Sequence, residues 1–174
     1  MSSMGTTVTG ERADLLEALA TQRHFLRHTV RDLTDEQAAR RSTVSELCLG
    51  GLIKHVTRIE RTWVDFILQG PSAFPDWTDP ATIQQHVEGF RMVEGDTLAG
   101  LLDAYAEVAR RTDDLVRTLP DLDVSHPLPE APWFEPGARR SARRVLLHLV
   151  AETAQHAGPA DSIREAIDGQ KSMG

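Results

Sequence analysis

Apolar side chains recur along this chain at the three- and four-residue spacing of a single helix face, in four long runs. The first extends from Glu11 to about Leu33 on Leu15, Leu16, Leu19, Phe25, Leu26 and Val30. The second reaches about Leu68 on Leu47, Leu52, Ile53, Val56, Ile59, Trp63, Phe66 and Ile67, and Gly70-Pro71 stops it. Ser42 or Ser45 is its expected cap. Thr97 to Leu119 forms the third, on Leu98, Leu101, Leu102, Tyr105, Val108, Leu115 and Leu119, closed by Pro120. Ser141 caps the fourth, which ends near Asp168 with Gly169 at the C-terminal cap.

The connections carry their own signals. Thr34 and Gln37 have the spacing of a capping box and start a short helix. Within the long connection 71–95, Asp79-Pro80 opens another short helix through His86. Residues 121–137 read as a loop stiffened by Pro127, Pro129, Pro132 and Pro136, and it carries His126, Trp133 and Phe134. Residues 1–9 form a frayed tail, and 10–169 a single domain. The expectation is an all-α protein, an up-and-down type four-helix bundle with short extra helices in its connections. Gly50-Gly51 costs the second helix about 2 kcal/mol in propensity, which suits a place where another backbone or a ligand comes close.

Composition narrows the partners. Asp plus Glu number 26 against 19 Lys plus Arg, a formal charge of -7, which disfavours nucleic acid. No apolar run is long enough to span a membrane, and the N-terminus lacks the apolar core of a signal peptide. The single cysteine, Cys48, lies among leucines as packing. A cytoplasmic location is expected.

His148, Glu152 and His156 lie four residues apart on the fourth run, stacked on one helical face beside Leu146, Leu147, Val150 and Ala151. Together the three span roughly 12 Å, so a single ion calls for one adjacent pair and a residue from another helix. Glu152 and His156 with His55 of the second run make two imidazoles and a carboxylate, leaving an open coordination position of the catalytic type. His148 with Glu152, supported by His156, is the alternative pair, and a buried polar network without metal is a third arrangement. Zinc, nickel and other divalent first-row ions suit such ligands. His24 and His28 also lie four apart, but beside Arg23, Arg27 and Arg31 they mark the polar flank of the first run.

The blocks SELCLGGLIKHVTRIERTW and VLLHLVAETAQHAGPADSIREAIDG resemble the DinB-like (YfiT-like) bundle proteins, in particular an actinobacterial branch of unknown function. The chain is also similar to the metal-binding N-terminal domain of mycothiol-dependent maleylpyruvate isomerase. The resemblance implies a divalent metal at one end of the bundle core, held by His55, Glu152 and His156, with His148 in support. Where relatives read HAGH this chain reads HAGP, so Pro159 stands one turn beyond His156, and a kink or break is expected there. No counterpart of the isomerase's further C-terminal domain is expected, and isomerase activity is therefore not expected either.

An open metal site of this kind lowers the pKa of a bound thiol. The implied activity is thiol S-transfer, with a low-molecular-weight thiol such as mycothiol as co-substrate attacking an electrophilic small molecule. A hydrolase using the same open site, or a non-catalytic metal-binding stress protein, are the alternatives. Trp63, Trp77, Trp133 and Phe134 are candidate pocket walls, with Pro159 beside the site. Arg58, Arg61, Arg143 and Arg144 are candidates for carboxylate or sugar oxygens, with a solvated helix face as the other reading of Arg143 and Arg144. Bundles of this type pair through helix faces, so a homodimer is compatible.

Overall fold

Two of the four long helices are opened by side-chain caps written at their ends. In the computed structural model, which describes residues 8–172, α1 spans Glu11–His28, α2 Asp35–Ala39, α3 Leu49–Gln69, α4 Pro80–Glu88, α5 Leu98–Thr118 and α6 Ala142–Asp168. Thr34 and Gln37 form the reciprocal capping box of α2. Thr97 and Ser141 cap α5 and α6 by accepting from the Gly100 and Arg144 N–H groups. Gly169 closes α6 in the left-handed region at φ 77°.

Three boundaries differ from the sequence expectation. α1 ends at His28, and the chain through Asp32, at φ 58°, is a turn. Neither Ser42 nor Ser45 caps α3. Ser42 donates to the Ile163 carbonyl and Ser45 accepts from Leu47 N–H, so the cap position falls to buried Cys48, which makes no side-chain cap bond. The stretch expected as loop contains β1, Ser125–Pro127, paired antiparallel with β2, Arg139–Ser141. Most of the expected N-terminal tail lies outside the described residues.

The helices run up, down, down, up. Glu11 meets Arg143 and Thr29 meets Arg164, so α1 and α6 are parallel. Lys54 meets Asp96 and Asp65 meets Arg111, so α3 and α5 are parallel too. The long connection, with a 3₁₀ turn at Gly70–Ala73 and α4, carries the chain back along α3 before α5 begins. Around the bundle, α3 packs on α5 and α6, and α1 packs on α6 and α5.

Two apolar clusters fill the interior. One joins Leu15, Leu19, Trp63, Phe66, Val145 and Leu149. The other joins Leu26, Leu49, Ile53, Val56, Tyr105 and Ile163. Polar side chains occupy the level between them, on two sides of α3. Facing α1 and α5, Arg23 is bound to Glu60 at 2.5 Å and Asp113 at 2.8 Å, and Thr112 donates to Glu60. The sequence pattern put Arg23 on the polar flank of α1. It is buried because its partners arrive from α3 and α5. Arg164 is buried likewise, donating to the Thr29 and Arg31 carbonyls.

Gly50 and Gly51 meet the returning chain. A Cβ on Gly51 would overlap the Phe90 carbonyl, and one on Gly50 the Met92 sulfur. The backbone at 90–92 therefore lies directly against the first turn of α3. Gly51→Ala forces that strand of backbone away, and we expect a loss of about 3 kcal/mol, the upper range of overpacking, in urea unfolding. An unchanged midpoint would show that the contact is not close.

Candidate metal centre

His55 sits on α3 facing α6, whereas Glu60, five residues on, faces the opposite side of the same helix. α6 runs antiparallel to α3 here and brings Glu152 and His156 from successive turns of one face. Glu152 Oε1 lies 3.7 Å from His55 Nε2 and 3.2 Å from His156 Nε2. One donor atom from each of the three residues lies within 4.8 Å of the others. Donors about 2.1 Å from a tetrahedral zinc are about 3.4 Å apart. Two imidazoles and one carboxylate converging at these spacings fit a divalent ion, and three donors leave a tetrahedral ion one coordination position.

The electrostatics suit that donor set. The hydrogen bond with His156, together with the His55 imidazole close by, holds the Glu152 carboxyl well below the usual carboxylate range. Burial pushes the His55 imidazole pKa down, toward the neutral form that a metal needs. Phe90 stacks on the His55 ring at 4.0 Å and 22°. The same backbone that presses on Gly51 thus holds His55 in orientation. His55 Nδ1 is buried with no hydrogen-bond partner among the described residues, so packing takes the place of a hydrogen bond on that side of the ring.

His148, one turn before Glu152, is not among the converging donors. It meets the Trp63 ring edge-to-face at 5.0 Å, and burial lowers its pKa. α6 continues unbroken through Pro159. Pro159 and Gly158 lie on the exposed side of the helix, where water can satisfy the carbonyl that the ring leaves unpaired. The expected break does not occur, and Pro159 faces away from the buried side of α6. His24 and His28 stack on each other along α1 at 5.8 Å and are not brought to the cluster.

Beside the centre is a cavity of about 450 Å³ lined by Arg58, Trp63, Phe74, Trp77, Gln85 and His86 among others. Trp63 meets Phe74 at 4.9 Å and Phe134 at 6.4 Å, while Trp77 meets Trp133 at 5.6 Å. The four aromatic residues singled out in the sequence are therefore neighbours, with Trp133 exposed at the outer edge. Arg58 is committed to α4, donating to the Gln85 carbonyl at 3.0 Å and lying 2.7 Å from His86 Nδ1. Arg143 is not brought to this cavity. It pairs with Glu11 and Asp123 at the start of α6. Arg61 and Arg144 are exposed.

Two residues of the site escaped the sequence reading. His86 lies 6.2 Å from His55 and 5.1 Å from Trp77, ring to ring. Because a guanidinium only donates, His86 Nδ1 accepts from Arg58 and the ring proton rests on Nε2. Phe90 is the other. The signal for both was the pair of glycines at 50–51, which marks where the 86–92 segment returns, but not which of its side chains face inward.

Comparison with known proteins agrees with this picture. The sequence model of a family described as Mycothiol-S-transferase matches residues 14–169. No curated protein matches the chain. Among solved structures, the "conserved protein of locus" from Enterococcus faecalis is similar, with a TM-score of 0.64 at 14% identity over 94% of this chain and 100% of that one. At that identity the likeness speaks for the fold alone. No helix among the described residues is long and apolar enough to cross a membrane.

Proposed function

Because the chain belongs to the mycothiol-S-transferase family, we propose that it joins the sulfur of a low-molecular-weight thiol to an electrophilic carbon of a small molecule. Mycothiol is the thiol, and a divalent metal, zinc before nickel, is held by His55, Glu152 and His156. The observation that carries this reading is the convergence of two imidazoles and one carboxylate from α3 and α6. Such an ion, when bound, supplies positive charge that keeps a thiol as thiolate near neutral pH.

The chain's own side chains do the rest. Glu152 supplies the one negative charge of the donor set, so the centre keeps net positive charge. Phe90 fixes the His55 ring and screens it from water. Trp63, Phe74 and Trp77 offer the apolar part of the electrophile a wall beside the centre. The sulfur–carbon bond forms there. With a halide, the leaving group departs with its bonding electrons; with an activated alkene, the adjacent carbon takes up a proton. His148, packed against the Trp63 ring one turn before Glu152, supports the centre. The formal charge of -7 suits a cytoplasmic enzyme of small molecules rather than one of nucleic acid.

Protein purified without an affinity tag should carry a stoichiometric divalent ion by elemental mass spectrometry. Incubated with a panel of electrophiles, it should consume mycothiol and form the thioether. Electrophile consumed equally fast without thiol, giving the water-derived alcohol instead of the thioether, would point to hydrolysis by the same ligands, and protein free of metal and inert to added zinc would end this reading.

A further inference from the structure

Among the described residues, Arg140 is a cation near the centre that forms no ion pair. Its backbone is anchored in the β ladder opposite His126, immediately before the Ser141 cap of α6. Its guanidinium lies over the Trp63 ring, 4.7 Å from the centroid, and over Phe134 at 5.5 Å. Trp63 in turn touches His148 and lines the cavity beside the metal ligands. Arg140 thus shares a wall residue with that cavity.

What it lacks is an acceptor. Arg140 Nη1 is buried and has no hydrogen-bond partner among the described residues. Its neighbours in the sequence are provided for: Arg139 donates to Ser125, and Arg143 pairs with Glu11 and Asp123. Burial lowers the guanidinium pKa, and the like charge of Arg144 adds to the effect. Two aromatic rings offset part of the cost of partly burying such a cation, but they leave the buried Nη1 edge of its N–H fork unsatisfied. A planar oxyanion that takes two parallel N–H bonds matches that fork, and a carboxylate does so best.

We propose that Arg140 binds a carboxylate carried by the electrophilic substrate, so that the preferred substrates are carboxylate-bearing electrophiles with an apolar body against Trp63. This rests on the S-transferase reading for the word substrate, although not for the anion site.

Calorimetric titration of the full-length, zinc-loaded protein with 4-methylbenzoate and with its neutral counterpart 4-methylbenzamide tests the site directly. Wild type should prefer the carboxylate by about tenfold or more, as for a charge-assisted pair. Arg140→Gln should lose that preference while keeping its affinity for the amide, and Arg140→Lys should retain part of it. Equal wild-type affinities, or a preference that survives in Arg140→Gln because the metal alone supplies it, would overturn the proposal.

Transfer kinetics with 4-(bromomethyl)benzoate and its methyl ester form the second arm. The sulfur–carbon bond forms, the carbon–bromine bond breaks with bromide taking the electron pair, and the thiol proton goes to solvent. Arg140→Gln should raise KM for the acid and leave the ester unchanged. If neither compound alkylates the thiol enzymatically while benzoate preference still depends on Arg140, the S-transferase reading fails and the anion site stands. If both react and Arg140→Gln alters neither, the anion site fails and the transferase stands.

Discussion

Replacing His55 by alanine should reduce bound metal from stoichiometric to undetectable and slow thioether formation by about 10³-fold, the loss of several kcal/mol of charge stabilisation. His55 is the only one of the three converging donors that comes from α3. Without it, Glu152 and His156 remain as an adjacent pair on one helix, a site too open to retain a divalent ion against buffer. The variant also loses the ring on which Phe90 stacks, so its melting temperature needs to be measured alongside. His148→Ala provides the contrast. It removes a neighbour and no ligand, and should cost about 10- to 100-fold in metal affinity or rate, as supporting positions do. Elemental analysis after dialysis and the thiol-consumption rate decide the matter. Full metal content and activity in His55→Ala would place the centre elsewhere.

The largest effect on stability is expected at Arg23. Arg23→Met leaves the Glu60 carboxylate buried, 1% exposed, with Thr112 as its remaining partner. Breaking a buried pair on one side costs about 3–5 kcal/mol, or roughly 10 °C in Tm for a chain of this size. Asp113, also a partner of Arg23, is partly exposed and can turn to water. The double variant Arg23→Met/Glu60→Leu should recover most of the loss, because a pair of apolar side chains fills the same space without a charge to desolvate. Urea unfolding of the single and double variants measures both. A single variant within about 1 kcal/mol of wild type would mean that water reaches Glu60 and that the pair behaves as a surface one. The metal content of both variants should stay as in wild type, since Glu60 and His55 face opposite sides of α3.

These two residues illustrate what a chain of helices reveals in its pattern. His55 could be placed on α3, and Glu152 and His156 on one face of α6, from spacing alone, because a helix repeats every few residues regardless of its neighbours. The pairing of His55 with that face was one arrangement among several in spacing, and the family resemblance favoured it. Arg23 offered no such signal. Among Arg27 and Arg31 it reads as a solvated flank, and only the arrival of Glu60 and Asp113 from distant parts of the chain makes burial tolerable. Arg140 is the converse case. Within ARRSARR it looks like one more exposed charge, but the short β ladder that holds it over Trp63 is too brief to show in a loop rich in proline.

By itself the sequence determined the four long helices, the caps of α6 at Ser141 and Gly169, the capping box that opens the short α2 at Thr34, the ligand spacing on α6, and the close approach at Gly50-Gly51. All of these depend on groups within one or two turns, or on the absence of a side chain. Only the tertiary structure decided the up-down-down-up order, the continuity of α6 through Pro159, the stacking of Phe90 on His55, the turn of His86 toward Arg58, and the isolation of Arg140. Each depends on which solvent, ring or opposite charge a side chain meets across the bundle, and such contacts join residues too far apart in the chain for periodicity to record.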